Sequence, residues 1–230
     1  MNYQSVKIVS ALLFLLIFSS CSEENDPTES DLSEDFKVVL LQPIIIKNDE
    51  GTSSFYDLDI DRLNKAYSGA EVKFTLLKQK FVTNNDMYNG TLGLGEMSDW
   101  LSGNGHFAGK NDIVNLVCTE NLLGKDGSIG KGLTPGSITF IAFDPTPGSI
   151  LNVFVLAHEV GHNFGLKHAV DDENVSNDLP NVMGGGEYED RLNPENSFNS
   201  YQIDIIRSAK ITHENEKALE LIEQYELEEE

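Results

Sequence analysis

One stretch of eleven residues, HEVGHNFGLKH from His158 to His168, constrains this chain more than any other part of its sequence. It contains three of the five histidines. If the preceding segment is helical, His158 and His162 lie one turn apart on one face, and both rings can reach an ion about 2 Å away. Gly165 favours a left-handed backbone turn, which would end the helix and return His168 to the same point. The spacing therefore predicts a metal site made by one helix and the bend after it.

Three imidazoles beside a carboxylate are the donor set of a catalytic zinc site. Three protein ligands leave the fourth tetrahedral position to water, whose pKa zinc lowers to about 7. Glu159, next to the first histidine, is the candidate general base that takes a proton from this water. A structural zinc site usually has four protein ligands, mostly cysteines, and this chain has two Cys in total. An inactive relative that kept the metal ligands stays open as an alternative.

The motif continues into a second feature, Met183 in the segment NVMGGG, fifteen residues after His168. The pattern HExxHxxGxxH followed by a methionine turn resembles the signature of the metzincin clan of zinc metallopeptidases. The segments before the motif are most similar to pappalysin-like and matrixin-like domains. The resemblance implies that Glu159 is the general base, that Met183 forms a hydrophobic floor beneath the metal, and that zinc is bound by His158, His162 and His168. Met183 could equally be an ordinary core methionine.

The N-terminus carries the pattern of a secretory signal peptide over residues 1–20. Lys7 precedes an apolar run from Ile8 to Phe18, and small residues follow it. This run of eleven residues, apolar except for Ser10, is too short to span a bilayer, which needs about 20. The position of Cys21 resembles a bacterial lipobox, in which the cysteine is lipidated and the chain is cut before it. A plain cleaved signal with an incidental cysteine is the alternative reading.

Residues 21–35 are acidic and small polar residues with nothing to bury, so we expect a disordered tether. An acidic patch after a lipidated cysteine also resembles the signal that sends some bacterial lipoproteins to the outer face of the outer membrane. The sequence therefore predicts an outer membrane lipoprotein, exposed at the cell surface. Several acyl chains on one cysteine would make this anchor stable.

The charge of the chain excludes one class of partner. The formal net charge is −22, from 38 acidic and 16 basic residues, whereas binding to a phosphate backbone needs clustered Lys and Arg. Nucleic acid is therefore not an expected partner. A negative field could attract cationic peptides, although such charge more often serves solubility. The oligomeric state is left open by the sequence.

Residues 36–230 are long enough for one domain with a substantial core. The apolar patterns predict an α+β fold in which a twisted mixed sheet packs on the active-site helix and further helices. The resemblance implies that this is a metzincin-like domain. Residues 83–112 are rich in Gly and Asn and predict a long surface loop that holds one short helix at most. The helices are expected at 56–69, 149–164 and the C-terminus, and the strands at Phe36 to Ile46, Val72 to Leu77, Ile113 to Cys118 and Ile138 to Phe143.

Four smaller features complete the sequence-based expectations. The segment ITFIAF is the candidate edge strand for an extended substrate, unless it is an interior strand. The acidic loop between His168 and Met183 offers oxygen ligands for calcium, but it lacks a calcium-binding motif, so a solvated loop is favoured. Cys118 is expected to be a small buried hydrophobe. His106 and His213 lack metal-binding neighbours and are expected at the surface.

These observations predict a zinc-dependent endopeptidase that cleaves extracellular proteins or peptides with metal-activated water and no covalent intermediate. The alternative is a catalytically inactive surface-binding or adhesion lipoprotein that retains the metal site.

Overall fold

Strand β1 (Lys37–Lys47) lies at the centre of the fold in a computed structural model of the chain. The structure describes residues 36–53, 58–107, 112–122, 130–132, 136–142, 146, 149–184 and 187–228. Residues 34–230 form one compact unit. The signal peptide, Cys21 and the tether that the sequence predicts lie outside the described residues.

A six-stranded sheet in the order β2-β1-β4-β6-β5 forms the framework, with β3 beside the second half of β1. Every pairing is parallel except that of β5 with β6. A parallel sheet with one antiparallel edge strand is the mixed sheet that the sequence predicts. The strands after β1 are β2 (Val72–Leu76), β3 (Lys80–Thr83), β4 (Val114–Thr119), β5 (Gly130–Gly132) and β6 (Ile138–Ala142).

Pro43 lies inside the central strand, where proline normally removes a ladder hydrogen bond. The Leu41 carbonyl accepts from Leu77 N at 2.8 Å. Backbone groups two residues apart point to the same edge of a strand, so the backbone nitrogen of Pro43 is directed to this edge as well. On that side β1 changes partner, because its pairing with β2 ends at Leu41 and its pairing with β3 begins at Ile44. Gln42 Nε2 donates to the Pro43 carbonyl at 2.9 Å in this gap. Pro43, which has no N–H to donate, therefore lies at a position that pairs with neither β2 nor β3.

Helices cover both faces of the sheet because alternate residues of β1 face opposite sides. Val39, Leu41 and Ile45 belong to a large core, while Ile44 and Ile46 belong to a smaller one. Helices α1, α4 and α6 contribute to the large core, and α2 and α3 to the smaller one. The helices are α1 (Ile60–Tyr67), α2 (Asn85–Tyr88), α3 (Leu94–Gly103), α4 (Ile150–Phe164), α5 (Tyr188–Arg191), α6 (Ser200–Ser208) and α7 (Asn215–Glu228).

The prediction of a long surface loop over residues 83–112 is wrong, since two helices, α2 and the ten-residue α3, lie there. Met97 and Leu101 of α3 are fully buried in the smaller core. Glu96 Oε2 accepts from Gly93 N at 2.8 Å and caps the start of this helix. Packing against the sheet stabilises a helix that contains two glycines and lies in a segment rich in Gly and Asn, which is why the local sequence does not predict it.

The prediction that His213 lies at the surface is also wrong. His213 is buried, and its backbone exchanges two hydrogen bonds of 2.8 Å with Val38 at the start of β1. Its ring Nε2 lies 2.6 Å from the Asp112 carbonyl. His106 is half-buried and stacks on Trp100 with ring centroids 5.4 Å apart. Both histidines therefore have structural partners away from the metal motif.

Residues Ile138–Ala142 of the segment ITFIAF, proposed from the sequence as the edge strand, form β6 in the interior of the sheet. It pairs with β4 on one side and with β5 on the other, so the prediction of a free edge is wrong. The edge strand at this end is β5, three residues long. Its sequence, GKG, gives no strand signal because glycine is depleted in strands.

Cys118 has the environment that the sequence predicts. It is buried in β4, and burial raises the pKa of its thiol well above the usual value. Among the helices that the structure describes, none is long and apolar enough to cross a bilayer.

Tyr67 gives a test of how α1 supports the fold. It is fully buried against Phe74 and Phe198, and its hydroxyl donates to the Ala157 carbonyl of α4 at 2.7 Å. We expect Tyr67→Phe to lower the free energy of unfolding by about 1 kcal/mol, since only this hydrogen bond is lost. Tyr67→Ala should cost about 3 to 5 kcal/mol because it leaves a cavity.

Chemical denaturation of the variants measures both effects. Tyr201→Phe is the control, because Tyr201 is 41% exposed and should show no measurable loss. Equal stability of Tyr67→Ala and the unchanged chain would contradict the packing described here.

Candidate metal centre

Helix α4 carries the metal motif and is held by burial on most of its surface. Its first turns are apolar and belong to the large core, as the sequence predicts for residues 149–164. Asn163, itself buried, donates from Nδ2 to the Ile138 carbonyl at 3.0 Å and accepts from the Thr139 hydroxyl. These bonds join the end of α4 to β6. The helix therefore has little freedom to move relative to the sheet.

The helix ends where the sequence predicts a left-handed turn. Gly165 has φ of +102°, a conformation that favours glycine, and its N–H donates to the His162 carbonyl at 2.9 Å. The following Leu166 N–H donates to the Gly161 carbonyl at 3.1 Å. This turn reverses the chain and brings His168 back to the helix.

The three histidine rings converge on one point. His168 Nε2 lies 3.1 Å from His158 Nε2 and 3.2 Å from His162 Nε2. His158 and His168 are nearly parallel at an angle of 19°, while His162 stands almost perpendicular to both. Among the His, Cys, Asp and Glu side chains that the structure describes, these three histidines form the group of at least three whose ligand atoms lie within 4.8 Å of one another.

Backbone carbonyls fix the orientation of the two helical rings. His158 Nδ1 lies 2.8 Å from the Val182 carbonyl, and His162 Nδ1 lies 2.8 Å from the Leu166 carbonyl. A carbonyl can only accept, so each Nδ1 carries the proton and each Nε2 has a free lone pair. A metal-binding histidine is typically held in this way. His168, the most exposed of the three, has Asp171 at 3.7 Å from its Nδ1.

The arrangement fits a zinc ion. His168 Nε2 lies 3.1 and 3.2 Å from the other two Nε2 atoms, and ring lone pairs this close would repel each other without a cation between them. Ligands of a tetrahedral zinc site are about 3.3 Å apart at the usual zinc–nitrogen distance. Burial lowers the pKa of His158 to about 4 and also lowers that of His162, so both rings are neutral at physiological pH. The donor set and its charge state are those of a catalytic zinc site, as predicted.

Met183 lies directly beneath the metal-binding helix. It is buried, and its sulfur is so close to Gly161 that a Cβ there would come within 2.4 Å of it. Its N–H donates to Asn181 Oδ1 at 2.9 Å, and its carbonyl accepts from Ala169 N at 2.8 Å. The turn also presents the Val182 carbonyl to His158. Met183 therefore packs against the helix backbone at Gly161, and its role as a hydrophobic floor beneath the metal stays a prediction from the resemblance.

A buried amide pair that sequence reasoning missed holds this turn. Asn181 Nδ2 donates to Gln202 Oε1 at 2.7 Å, and Gln202 Nε2 donates back to Asn181 Oδ1 at 3.2 Å. Gln202 Oε1 also accepts from Asn199 N at the start of α6. The sequence does not indicate that Asn181 and Gln202 form a pair, because they are twenty-one positions apart.

Glu159 lies on α4 beside the edge strand β5. Its Oε2 accepts from Gly132 N at 2.5 Å, and its side chain is mostly buried. Burial raises the pKa of this carboxyl, against the opposing effects of the Gly132 amide and of the charges on Lys131 and His168. Glu159 directly follows the ligand His158 in α4, so its carboxyl group borders the histidine cluster.

Two glycines of β5 allow this contact, and sequence reasoning missed them. A Cβ on Gly132 would lie 2.0 Å from the Glu159 carbonyl oxygen, and one on Gly130 would lie 2.6 Å from Val155 Cγ1. The helix backbone therefore packs directly on the strand. Glycine inside a strand commonly marks a close approach of another backbone, so the two glycines of GKG are the feature of the sequence that could have predicted this contact.

The acidic loop before Met183 forms local turns. Asp172 Oδ1 accepts from Asn174 N and from Asn174 Nδ2, both at 3.0 Å. The described residues of this loop contain no group of three converging metal ligands. Calcium therefore stays an untested possibility.

The contact between β5 and α4 leads to a testable expectation. Gly132→Ala should force the helix and strand apart, which should lower the free energy of unfolding by about 1 to 3 kcal/mol and weaken zinc binding. The matched control is Gly95→Ala in α3, where a Cβ meets nothing within 4 Å and should be neutral or stabilise by about 1 kcal/mol at most. Denaturation curves and zinc content compare the two. Equal behaviour of the two variants would show that the close approach is not required.

A protein-family model matches the part of the chain that carries the histidine motif. Residues 17–169, two thirds of the chain, match Metallo-peptidase family M12B Reprolysin-like, and the match includes the motif through His168. No curated protein sequence matches the chain.

Solved structures that resemble the chain include two archaemetzincins and a bacterial metalloproteinase. The archaemetzincin of Methanopyrus kandleri is 20% identical, over 84% of this chain and 97% of that one, with a TM-score of 0.41. The archaemetzincin of Archaeoglobus fulgidus, complexed with malonate, is 17% identical over 74% and 99%, with a TM-score of 0.43.

Metalloproteinase-II of Bacteroides fragilis is 16% identical over 76% of this chain and 53% of that one, with a TM-score of 0.45. The family match and the converging histidines show that the chain belongs to the M12B reprolysin-like metallopeptidase family and is a zinc-dependent peptidase.

Proposed function

We propose that the chain is a metzincin-type endopeptidase that hydrolyses extracellular proteins or peptides with Glu159 as its general base. One observation carries the proposal: the Nε2 atoms of three histidines converge on one point, and the buried carboxylate of Glu159 lies on the helix that carries two of them. Membership of the pappalysin-like or matrixin-like subfamily of this clan stays a prediction from the sequence.

The residues of the chain have separate tasks in this reaction. His158, His162 and His168 would hold zinc, which when bound polarises a peptide carbonyl and acidifies water. A Glu159 carboxylate oxygen takes the proton of the attacking water and then passes it to the leaving amine. Because the water attacks directly, no side chain of the enzyme becomes acylated.

The substrate backbone is proposed to pair with β5, the edge strand beside Glu159. This replaces the earlier expectation for ITFIAF, which lies inside the sheet. Gly132 N–H donates to Glu159, so β5 lies directly beside the carboxylate that serves as the base. Pairing through backbone groups tolerates many sequences, so side-chain selectivity must come from elsewhere.

Cleavage of a peptide library by the zinc-loaded chain, with and without a chelator, tests this function. We expect chelator-sensitive cleavage and one zinc ion per chain. Glu159→Gln should keep the zinc, because Glu159 is not a ligand, and should lower the rate by about 10² to 10⁴.

The matched control for this variant is Glu173→Gln, the same change on the exposed loop after His168, which should leave the rate unchanged. Undiminished cleavage by Glu159→Gln would exclude its role as the base. Zinc binding without cleavage of any peptide would favour an inactive surface-binding lipoprotein.

We also propose that the chain is a lipoprotein of the outer membrane, anchored through Cys21 and exposed at the cell surface. The lipobox-like position of the cysteine and the acidic residues after it support this location. Cys21→Ser should abolish incorporation of labelled fatty acid and release the protein from the membrane fraction. Ser22→Ala, a change next to the cysteine, is the control and should keep the label. Membrane association of an unlabelled Cys21→Ser protein would contradict the anchor.

A further inference from the structure

An arginine and two aromatic rings border the histidine cluster on the side beyond Met183. Tyr188 of α5 stacks on Phe154 of α4 with ring centroids 4.7 Å apart. The Arg191 guanidinium lies over both rings, 5.0 Å from the centroid of Phe154 and 5.7 Å from that of Tyr188. Phe154 in turn lies 5.9 Å from the ring of His158. The cation is thus one aromatic ring away from a metal ligand.

The electrostatics at the site differ from those of the whole chain. The chain has a net charge of −22, yet two cations lie near the site: Arg191 is one ring away from His158, and Lys131 lies between the two glycines of β5 that pack against Glu159. Lys131 lies on β5, so positive charges flank the histidines from the edge strand and from α5. The acidic residues of α5 itself, Glu189 and Asp190, are exposed.

The setting of Arg191 suits recognition of a carboxylate. Its side chain is half-buried, where an ion pair is screened less than at the open surface. Packing on aromatic rings uses the face of the guanidinium, whereas its N–H donors lie in its plane and match a carboxylate in a two-pronged geometry. Tyr188, 42% exposed, leaves an aromatic surface beside it for the stem of a substrate side chain.

We propose that Arg191 makes this peptidase selective for substrates with an aspartate or glutamate side chain adjacent to the scissile bond. The inference rests on the proposed peptidase function and names its substrate class. The expectation that the net charge attracts cationic peptides concerns the whole surface, whereas the cation Arg191 lies one aromatic ring from the metal ligand His158. Lys131 would add a weaker attraction, since it is exposed to solvent.

Paired fluorogenic peptides test the inference with the zinc-loaded full-length chain. The members of a pair are identical except for Glu or Gln at one of the three positions on either side of the cleaved bond. We expect kcat/KM to be about 10-fold higher for the Glu peptide at one position next to that bond, as for a partly exposed charge-assisted contact. Arg191→Gln should reduce this ratio to about 2 or less, and Arg191→Lys should restore part of it.

Arg207→Gln is the matched control, since it removes the same charge at the opposite edge of the sheet, where Arg207 pairs with Glu71 just before β2. It should leave the ratio unchanged. A second readout is binding of the same peptides to the Glu159→Gln variant, measured by fluorescence anisotropy. The Glu peptide should bind more tightly, and Arg191→Gln in that background should remove the difference.

The outcomes separate the two proposals. Cleavage with no preference for Glu at any position, or a preference that persists in Arg191→Gln, overturns this inference and leaves the peptidase function intact. An equal loss of rate for both peptides in Arg191→Gln shows a merely structural role and also overturns it. If the zinc-loaded chain cleaves no peptide, the peptidase function fails and the selectivity fails with it.

Discussion

The close approach of helix α4 to the edge strand and to the turn at Met183 is the constraint on which the site depends. Gly130 and Gly132 on one side and Gly161 on the other have no side chain at points where a Cβ would overlap neighbouring atoms. The helix is therefore confined between the sheet and the methionine turn. A catalytic metal site needs ligands that are held in position before substrate arrives, and this confinement provides that rigidity.

The site combines buried neutral rings with local positive charge. Desolvation keeps His158 and His162 uncharged, and backbone carbonyls at Val182 and Leu166 hold the ring protons on Nδ1. One of these carbonyls comes from the bend after the helix and the other from the methionine turn. The same segment that supports the helix from below therefore also orients its first ligand. Beyond it, Arg191 adds a positive charge next to the ligands of a strongly acidic chain.

Much of the fold could be predicted from the sequence, because apolar periodicity reflects burial directly. The strands around Val39, Val114 and Phe140 and the helix before His158 lie where their patterns indicate. The errors share a cause. Strand order cannot be inferred from the pattern of one strand, so ITFIAF was assigned to an edge although β5 covers it. Helix α3 and the bridge of His213 to β1 depend on contacts with distant parts of the chain, which local composition does not show.

The sequence by itself determined the local geometry of the metal site. Four-residue spacing on a helix and a left-handed glycine at its end suffice to bring His158, His162 and His168 together, because helix and turn geometry depends only on neighbouring residues. Tertiary structure alone decided which carbonyls orient the rings, which strand borders Glu159 and which cation lies beside the ligands. These features join residues that are far apart in the chain, and they arise only when the sheet, the helix and the methionine turn pack on one another.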